Sequence, residues 1–290
     1  MKVSAIDVGS NSVRLATVAD GKTLYKRLAT TRLGEKLALT GTILPEAIER
    51  TARAISQFVE QAKSENSTRI YVFATAAVRS ANNRAEFLAR VKQLCGVDVD
   101  VVSGKEEARL GILGALKGRD GGIIDVGGAS TEVTVQKNGV SLYSHSADIG
   151  TVRLHDMAGR DFDKLQSVAL KKIEEYGLFD LSSFDMYAIG GTATTLASVK
   201  HKLKIYDPSI TDGTVLTAPE ILEMAKHMLS LSVEECRNIT GMEPRRADVI
   251  GGGCLLTYLV MQHFKVDKIT VSESDNLEGY IMLKEGIDEV

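Results

Sequence analysis

A short motif occurs twice in the chain, and it constrains the fold more than any other feature. Residues 7–15 read Asp-Val-Gly-Ser-Asn-Ser-Val-Arg-Leu, and residues 125–133 read Asp-Val-Gly-Gly-Ala-Ser-Thr-Glu-Val. Each copy follows a short apolar run and precedes another, which predicts a β-hairpin with a turn of small residues. Because one copy starts each half of the chain, we predict two similar lobes.

The rest of the chain alternates short apolar runs with amphipathic segments, which predicts an α/β architecture with central sheets. Glycines at 118, 121 and 122 interrupt the pattern and mark the boundary between the halves. The predicted strands are Lys2–Val8, Val13–Val18, Thr23–Thr31, Arg69–Ala74, Val97–Val102, Gly122–Val126, Glu132–Gln136, Val140–Ser146, Met186–Ile189 and Lys268–Val271. One predicted helix begins at Pro45. The other predicted helices span Arg84–Leu94, Lys105–Leu116, Phe162–Tyr176, Thr192–Val199, Pro219–Ser230, Arg246–His263 and Leu277–Ile287.

Composition narrows the possible classes of function. The net charge is −3, from 35 basic and 38 acidic residues, so any anion site must be local. The three cysteines have neither zinc-ligand spacing nor an even number, which argues against a zinc site or a disulfide framework. Strand-like residues at the very start leave no room for a signal peptide, and no apolar run reaches the roughly 18 residues of a membrane span. We expect a cytoplasmic protein.

The repeated motif has the chemistry of a phosphate and metal site. Glycines let the backbone approach an anion, and consecutive turn N–H groups form an anion-binding concavity. An aspartate at the strand end repels phosphate but can hold hydrated Mg²⁺, so Asp7 and Asp125 are the predicted metal ligands. The alternative is that Asp-x-Gly only forms a tight turn. The predicted phosphate-binding residues of the two turns are Gly9, Ser10, Asn11, Ser12, Gly127, Gly128, Ala129 and Ser130.

Two further glycine clusters extend this prediction. Ile189-Gly190-Gly191-Thr192 follows a strand and opens a helix, so Gly191 and Thr192 are placed where a helix N-terminus binds an anion. The run 251–253, Gly-Gly-Gly, interrupts an apolar helical stretch. Together with the two hairpins, these segments predict four small-residue loops around a central cleft.

Several motifs in this order resemble the exopolyphosphatase/guanosine pentaphosphate phosphatase (Ppx/GppA) family. The resemblance covers nearly the whole chain and rests on the two Asp-x-Gly motifs, Thr75-Ala-Ala-Val-Arg79 with Ala81-Asn82, Ser103-Gly-Lys-Glu-Glu-Ala-Arg-Leu, Gly150-Thr-Val-Arg153, Gly190-Gly-Thr and Arg246-Ala-Asp248 with the glycines that follow it. It implies a duplicated RNase H-like fold, as in the actin-like ATPase superfamily, with a central cleft. It further implies a first lobe of residues 1–119 plus 277–290, a second lobe of residues 120–276, and a homodimer.

The same resemblance implies an activity and residue roles. The activity is Mg²⁺-assisted hydrolysis of a terminal phosphoanhydride in polyphosphate and/or guanosine pentaphosphate. Glu107 is the implied general base, Glu132 orients the water or holds Mg²⁺ through water, and Arg79 contacts phosphate. The alternatives are structural: an acid in the first helical turn for Glu107, a solvated strand carboxylate for Glu132 and a surface arginine for Arg79.

Two departures and two other functions stay open. Ala129 stands where the family has glycine, and Asn276-Leu277 replaces a Leu-Arg pair of many relatives. The basic residues Lys200, His201, Lys202 and Lys204 either steer a polyanion or end a solvated helix, and the Arg245-Arg246 pair is similar. The other functions are a non-catalytic guanosine tetra- or pentaphosphate sensor and an ATP-dependent small-molecule kinase of the same fold.

Overall fold

The first lobe is built on a five-stranded mixed sheet. A computed structural model describes residues 1–287. The strands of this sheet are β1 (Lys2–Val8), β2 (Ser12–Ala19), β3 (Lys22–Thr30), β4 (Arg69–Ala74) and β5 (Asp100–Val101). They lie in the order β3-β2-β1-β4-β5, with β1 antiparallel to β2 and parallel to β4. The helices of this half are α1 (Leu37–Thr40), α2 (Pro45–Ser64), α3 (Ala76–Ser80), α4 (Arg84–Cys95) and α5 (Gly104–Leu116).

The second half builds a six-stranded sheet. Its strands are β6 (Gly121–Val126), β7 (Thr131–Lys137), β8 (Val140–Ala147), β9 (Met186–Ile189), β10 (Val215–Thr217) and β11 (Lys268–Val271), in the order β10-β11-β9-β6-β7-β8. Its helices are α6 (Thr151–Ala158), α7 (Phe162–Ile173), α8 (Gly190–Lys200), α9 (Pro208–Thr211), α10 (Ala218–Ser230), α11 (Val233–Arg237), α12 (Ile250–His263) and α13 (Asn276–Lys284), and 3₁₀ turns lie at Glu174–Tyr176 and Pro244–Arg246.

The two sheets share one topology. In each, an antiparallel meander (β1-β2-β3 or β6-β7-β8) is extended by parallel strands on the far side of its first strand. The second sheet adds only β10, antiparallel to β11, at its edge. This duplication confirms the predicted α/β fold of two RNase H-like lobes.

Helices α5 and α13 lie between the sheets. Leu277 and Tyr280 of α13 are buried in the core of the first lobe, and the Tyr280 ring stacks on that of Phe73 at 4.3 Å. On α5, Ile112 and Leu116 are buried in one cluster with residues of β6 and β9. The lobe boundaries at 119/120 and 276/277 stay predictions, and residues 288–290 of the predicted first lobe lie outside the described residues.

The structure corrects three local predictions. The run Gly251–Gly253 is not a loop but lies inside α12, where a Cβ on residue 251 or 253 would come within 2.8 Å of Leu229 or 2.6 Å of Thr151. Glycine serves close helix packing there. Strand β5 is shorter than Val97–Val102, because only Asp100 and Val101 pair with β4.

The third correction concerns helix boundaries. Arg246 ends a 3₁₀ turn, and α12 begins four residues later. Helix α6 follows the second hairpin and was not predicted as a helix. No helix within residues 1–287 combines the length and apolar composition required to cross a membrane.

Candidate active site

The turns of the two hairpins meet in the cleft. In the first turn the Gly9 N–H donates to the Ser12 carbonyl at 3.0 Å, and in the second the Gly127 N–H donates to the Ser130 carbonyl at 3.0 Å. A Cβ on Gly128 would lie 2.7 Å from the Ser10 Cβ, so the two turns are in contact. Small residues are required there because a side chain would separate the lobes.

Neighbouring segments occupy the carbonyl groups of both turns. The N–H groups of Thr31 and Gly34 donate to the carbonyls of Asn11 and Ser10, and the Thr151 N–H at the start of α6 donates to the Gly127 carbonyl. The turn amides, in contrast, have no protein acceptor within the described chain; they are the N–H groups of Ser10, Asn11, Gly128 and Ala129. Such a set of unpaired N–H groups can bind an anion.

Ala129 fits the second turn without strain. Its φ lies outside the left-handed region, since it is absent from the non-glycine residues with positive φ. An alanine is therefore tolerated at this position of the turn.

Four buried carboxyl groups face the same small cavity or lie against it. Asp7, Asp125, Glu107 and Glu132 are each at most 7% exposed, and the first three line the cavity between the turns, of about 70 Å³. Burial raises the pKa of every one of them. Carboxyl groups held this close, in so little water, favour either protons or a cation.

The two aspartates have opposite partners across their hairpins. Asp7 pairs in register with Arg14, whose Nη2 donates to Asp7 Oδ2 at 2.5 Å. Asp125 pairs in register with Glu132, so a second carboxyl group faces it. Burial and then the charge of Glu107 raise the pKa of Asp125 to about 7. The pKa of Asp7 is also raised, because burial outweighs Arg14.

Glu107 is placed by the first turn of α5. Ser103 and Glu106 form the capping box of this helix, so the preceding acid, not Glu107, caps it. The Nη1 of Arg79 donates to Glu107 Oε2 at 3.0 Å and to the Val102 carbonyl at 2.9 Å. Burial raises the pKa of Glu107 to about 7, although Arg79 and the Thr75 hydroxyl lower it. A carboxyl group with that pKa can exchange a proton near neutral pH.

Glu132 lies deeper in the second lobe. Its Oε1 accepts from the Ser146 hydroxyl at 2.6 Å, and its Oε2 is buried without a partner. Burial, Glu107 and Asp125 together raise its pKa well above the usual range. Glu132 is therefore not a solvated strand carboxylate.

The start of α8 also lines the cavity between the turns. Gly190 has φ 79°, and a Cβ there would lie 2.7 Å from Asp125 Oδ1. The Thr192 hydroxyl donates to the Val126 carbonyl at 2.7 Å, so its proton is committed to the backbone. Gly191 lies beneath the guanidinium of Arg246, whose Nη2 would be 2.1 Å from a Cβ on that glycine.

Arg246 was not predicted as a site residue. It is 7% exposed and lines both the cavity between the turns and a neighbouring one of about 410 Å³. Burial and the nearby Arg14 lower its pKa to about 10. The sequence placed it in the Arg246-Ala-Asp248 motif and in a pair of arginines, but gave no signal that its side chain is buried.

Two other residues of the site were not recognised as such. Asp275 accepts from Arg14 Nη1 at 2.5 Å, and Asn276 Nδ2 donates to Asp125 Oδ2 at 3.0 Å. The departure from the family pattern at 276 was the only signal. Of the predicted basic cluster, Lys200 pairs with Glu220 at 2.7 Å and Lys204 lines the larger cavity.

Unpaired carboxylate oxygens of the site suit a divalent cation. Asp7 Oδ1 and Glu132 Oε2 are buried and have no hydrogen-bond partner. Residues 1–287 contain no group of three or more His, Cys, Asp or Glu side chains arranged to hold a metal. Mg²⁺ needs only one or two carboxylates besides water and phosphate oxygens, so Asp7 and Asp125 fit it.

Fold and site together define a two-lobed α/β protein of the actin-like ATPase class, with an acidic, glycine-lined cleft between its lobes. The model of the Ppx/GppA phosphatase family matches residues 15–286. The chain belongs to the Ppx/GppA phosphatase family. Membership supports a phosphatase, hence a hydrolase, acting on polyphosphate or a guanosine polyphosphate.

Individual relatives are similar to this chain over nearly its full length. Exopolyphosphatase 2 of Mycobacterium tuberculosis is 30% identical over 309 residues, covering 96% of this chain and 97% of the relative. The crystal structure of an exopolyphosphatase-like protein has a TM-score of 0.90 at 27% identity and covers all of both chains. The crystal structure of the Aquifex aeolicus family member has a TM-score of 0.79 at 29% identity, covering 100% of this chain and 99% of that one.

Proposed function

We propose that this protein hydrolyses the terminal phosphoanhydride bond of inorganic polyphosphate and/or guanosine pentaphosphate and releases orthophosphate. The observation that carries the proposal is the position of Glu107: a buried carboxyl group with a pKa of about 7, beside Arg79, facing the cavity between two anion-binding turns.

The turns bind the terminal phosphoryl group. The unpaired N–H groups of Ser10, Asn11, Gly128 and Ala129 supply fixed donors that cost no reorganisation during the reaction. Arg79 has donors beyond the one it gives to Glu107, and a planar guanidinium suits the charge on the transferring oxygens. Asp7 and Asp125 would hold Mg²⁺, which would neutralise charge on the phosphate oxygens.

Glu107 acts on the attacking water. In its ionised form it accepts a proton from this water while the water oxygen bonds to the terminal phosphorus. The bond from phosphorus to the bridging oxygen breaks, and its electron pair stays on the shortened chain. Glu132 lies outside the lining of the cavity between the turns and accepts from the Ser146 hydroxyl, so it supports the site rather than accepting the proton from the water.

The neighbouring cavity supports a nucleotide substrate beside the polymer. Its volume of about 410 Å³ falls within the range of small-molecule sites. Tyr206, Leu203 and Met242 offer apolar surface, and Lys204 and Arg246 offer positive charge. A guanosine base with its 3′-phosphates matches this mixture.

The test is phosphate release from long-chain polyphosphate and from guanosine pentaphosphate, each with Mg²⁺ and with EDTA. We expect Mg²⁺-dependent release from at least one of them. Tight nucleotide binding without release from either would favour the non-catalytic sensor and refute the enzyme. Phosphate transfer from ATP to a small-molecule hydroxyl, in place of hydrolysis, would favour the kinase. The predicted homodimer is checked by light scattering on the same sample.

A further inference from the structure

The start of α13 contacts one motif aspartate directly and the arginine partner of the other. On one side Asn276 Nδ2 donates to Asp125 Oδ2 at 3.0 Å. On the other side Asp275 Oδ2 accepts from Arg14, which donates in turn to Asp7 Oδ2, each at 2.5 Å. A single helical turn therefore connects the two hairpins, although it belongs to neither of them.

This turn is held rigidly. Asp275 caps the helix by accepting from the Leu277 N–H at 3.0 Å, and its own N–H donates to Glu278 at 3.0 Å. The backbones of α5 and α13 touch: a Cβ on Gly114 would lie 1.9 Å from the Asp275 carbonyl oxygen. Such contact leaves the turn no space to shift toward α5.

The side-chain amide of Asn276 makes one hydrogen bond within the described residues, and it is to Asp125. Asn276 is 4% exposed, and among the described residues no other side chain donates a hydrogen bond to Asp125. Its Oδ1 is buried without a partner. On the other side of Asp125, the Gly190 backbone lies against Oδ1. Asp125 is thus fixed from two sides, and only one of them is a hydrogen bond.

A neutral donor has a specific consequence. Arg14 offsets charge on Asp7, whereas an amide orients Asp125 without offsetting its charge. Asp125 has no ion-pair partner among the described residues, so the charge of its ionised form is available to a cation. A hydrogen bond of this kind to a metal ligand fixes the ligand's orientation and raises its affinity for the metal.

We propose that Asn276 is a positioning residue that orients Asp125 to bind the divalent cation. This inference rests on the proposed function, in which Asp7 and Asp125 hold Mg²⁺.

The experiment measures cation binding without substrate. Mn²⁺ serves as the probe, and its binding is followed by electron paramagnetic resonance on the whole protein and on Asn276→Leu, which is nearly isosteric. We expect the dissociation constant to rise by roughly 10–100-fold, the effect typical of losing a hydrogen bond to a metal ligand. The Mg²⁺ concentration for half-maximal activity rises by a similar factor, while kcat at saturating Mg²⁺ changes much less.

The control is the adjacent residue. Leu277 is fully buried and faces the core of the first lobe, so Leu277→Met disturbs the packing of α13 without touching Asp125. We expect its Mn²⁺ affinity to equal that of the wild type. Thermal unfolding is recorded for every variant, and Asn276→Ala, which removes the donor without adding bulk, replaces Asn276→Leu if the latter does not fold.

The outcomes separate the inference from the proposed function. If the wild type binds Mn²⁺ and Asn276→Leu binds it equally well, the positioning role is refuted while the metal site stands. If Leu277→Met weakens Mn²⁺ binding as much as Asn276→Leu does, the effect is one of packing, and the inference also falls. If the wild type binds no Mn²⁺ at all, the metal site of the proposed function fails, and the inference fails with it.

Discussion

The two hairpins of the cleft have the same turn geometry but opposite charge across their strands. Seven residues after each aspartate, the first hairpin carries Arg14 and the second carries Glu132. In the first, the charge of Arg14 is shared by Asp7 and Asp275, and the pKa of Asp275 is lowered to about 2. In the second, two carboxyl groups face each other and both pKa values are raised.

This difference shows how duplicated lobes divide their work. A turn that only had to bind phosphate would gain nothing from a buried carboxylate pair, which costs stability. The first hairpin is thus charge-compensated within the protein. The second is left uncompensated, so it favours a cation or a proton from outside. The following predictions test this asymmetry, from the largest expected effect to the smallest.

The largest effect concerns the carboxyl group that accepts the proton. We expect Glu107→Gln to lower kcat by roughly two to four orders of magnitude, the contribution typical of a general base. Glu132→Gln should lower it less, because Glu132 lies outside the lining of the cavity between the turns and its Oε1 already accepts from the Ser146 hydroxyl. Steady-state phosphate release measures both variants.

The matched control is Glu106→Gln, one residue away on the exposed side of the same helix. It should keep turnover near that of the wild type. Full turnover in Glu107→Gln would refute its role as the base, and a larger loss in Glu132→Gln would assign that role to the second hairpin.

The next effect is on the compensated hairpin. Asp275→Asn leaves Arg14 with one carboxylate instead of two. We expect the free energy of unfolding, measured with urea at pH 7, to fall by about 2–4 kcal/mol. Since the folded pKa of Asp275 is lowered to about 2, its contribution is present above pH 4 and is lost as the pH falls toward 2. The difference between variant and wild type should shrink accordingly.

The exposed Asp98, which pairs with Lys92 at the surface, provides the control. Asp98→Asn should change the free energy of unfolding by less than about 0.5 kcal/mol. An equal effect at both positions would show that Arg14 needs no second partner.

The uncompensated hairpin should respond in the opposite direction. The folded pKa of Glu132 lies above its unfolded value of 4.5, so the folded state binds more protons and stability falls as the pH rises above about 4.5. In EDTA, Glu132→Gln should therefore be more stable than the wild type at pH 8, by on the order of 1–3 kcal/mol, and nearly equal to it at pH 4.5. Urea unfolding at the two pH values measures the change.

Glu223 is exposed on α10 and serves as the control for this substitution. Glu223→Gln should leave the pH dependence of stability unchanged. Loss of stability in Glu132→Gln at pH 8 would contradict the prediction and show that the folded state stabilises the ionised carboxylate.

The smallest effect concerns the turn of the second hairpin. Ala129 does not have a positive φ and is 5% exposed. Ala129→Gly therefore relieves no backbone strain, and it removes a buried methyl group. We expect a loss of about 1 kcal/mol in the free energy of unfolding, with KM unchanged. A rise in stability would mean that alanine is strained in this turn.

Much of this could be predicted from the sequence, because the signals are local. The hairpins, the parallel strands and the helix at Gly190 follow from short-range periodicity and small residues. The prediction of a loop at the three-glycine run was wrong, because a glycine that breaks a helix and one that allows close packing look the same in sequence. The capping box at Ser103 correctly accounts for one of two adjacent acids, and the structure assigns it to Glu106.

By itself the sequence determined two lobes, two aspartates and the turns between their strands, because strand alternation and turn chemistry involve neighbouring residues. Only the tertiary structure decided how those aspartates are held. Asp275 lies 261 residues from Arg14, and Asn276 lies 151 residues from Asp125. Burial and charge coupling depend on distances between such remote segments. A motif repeated in sequence therefore becomes two sites with opposite electrostatics only when the chain has folded.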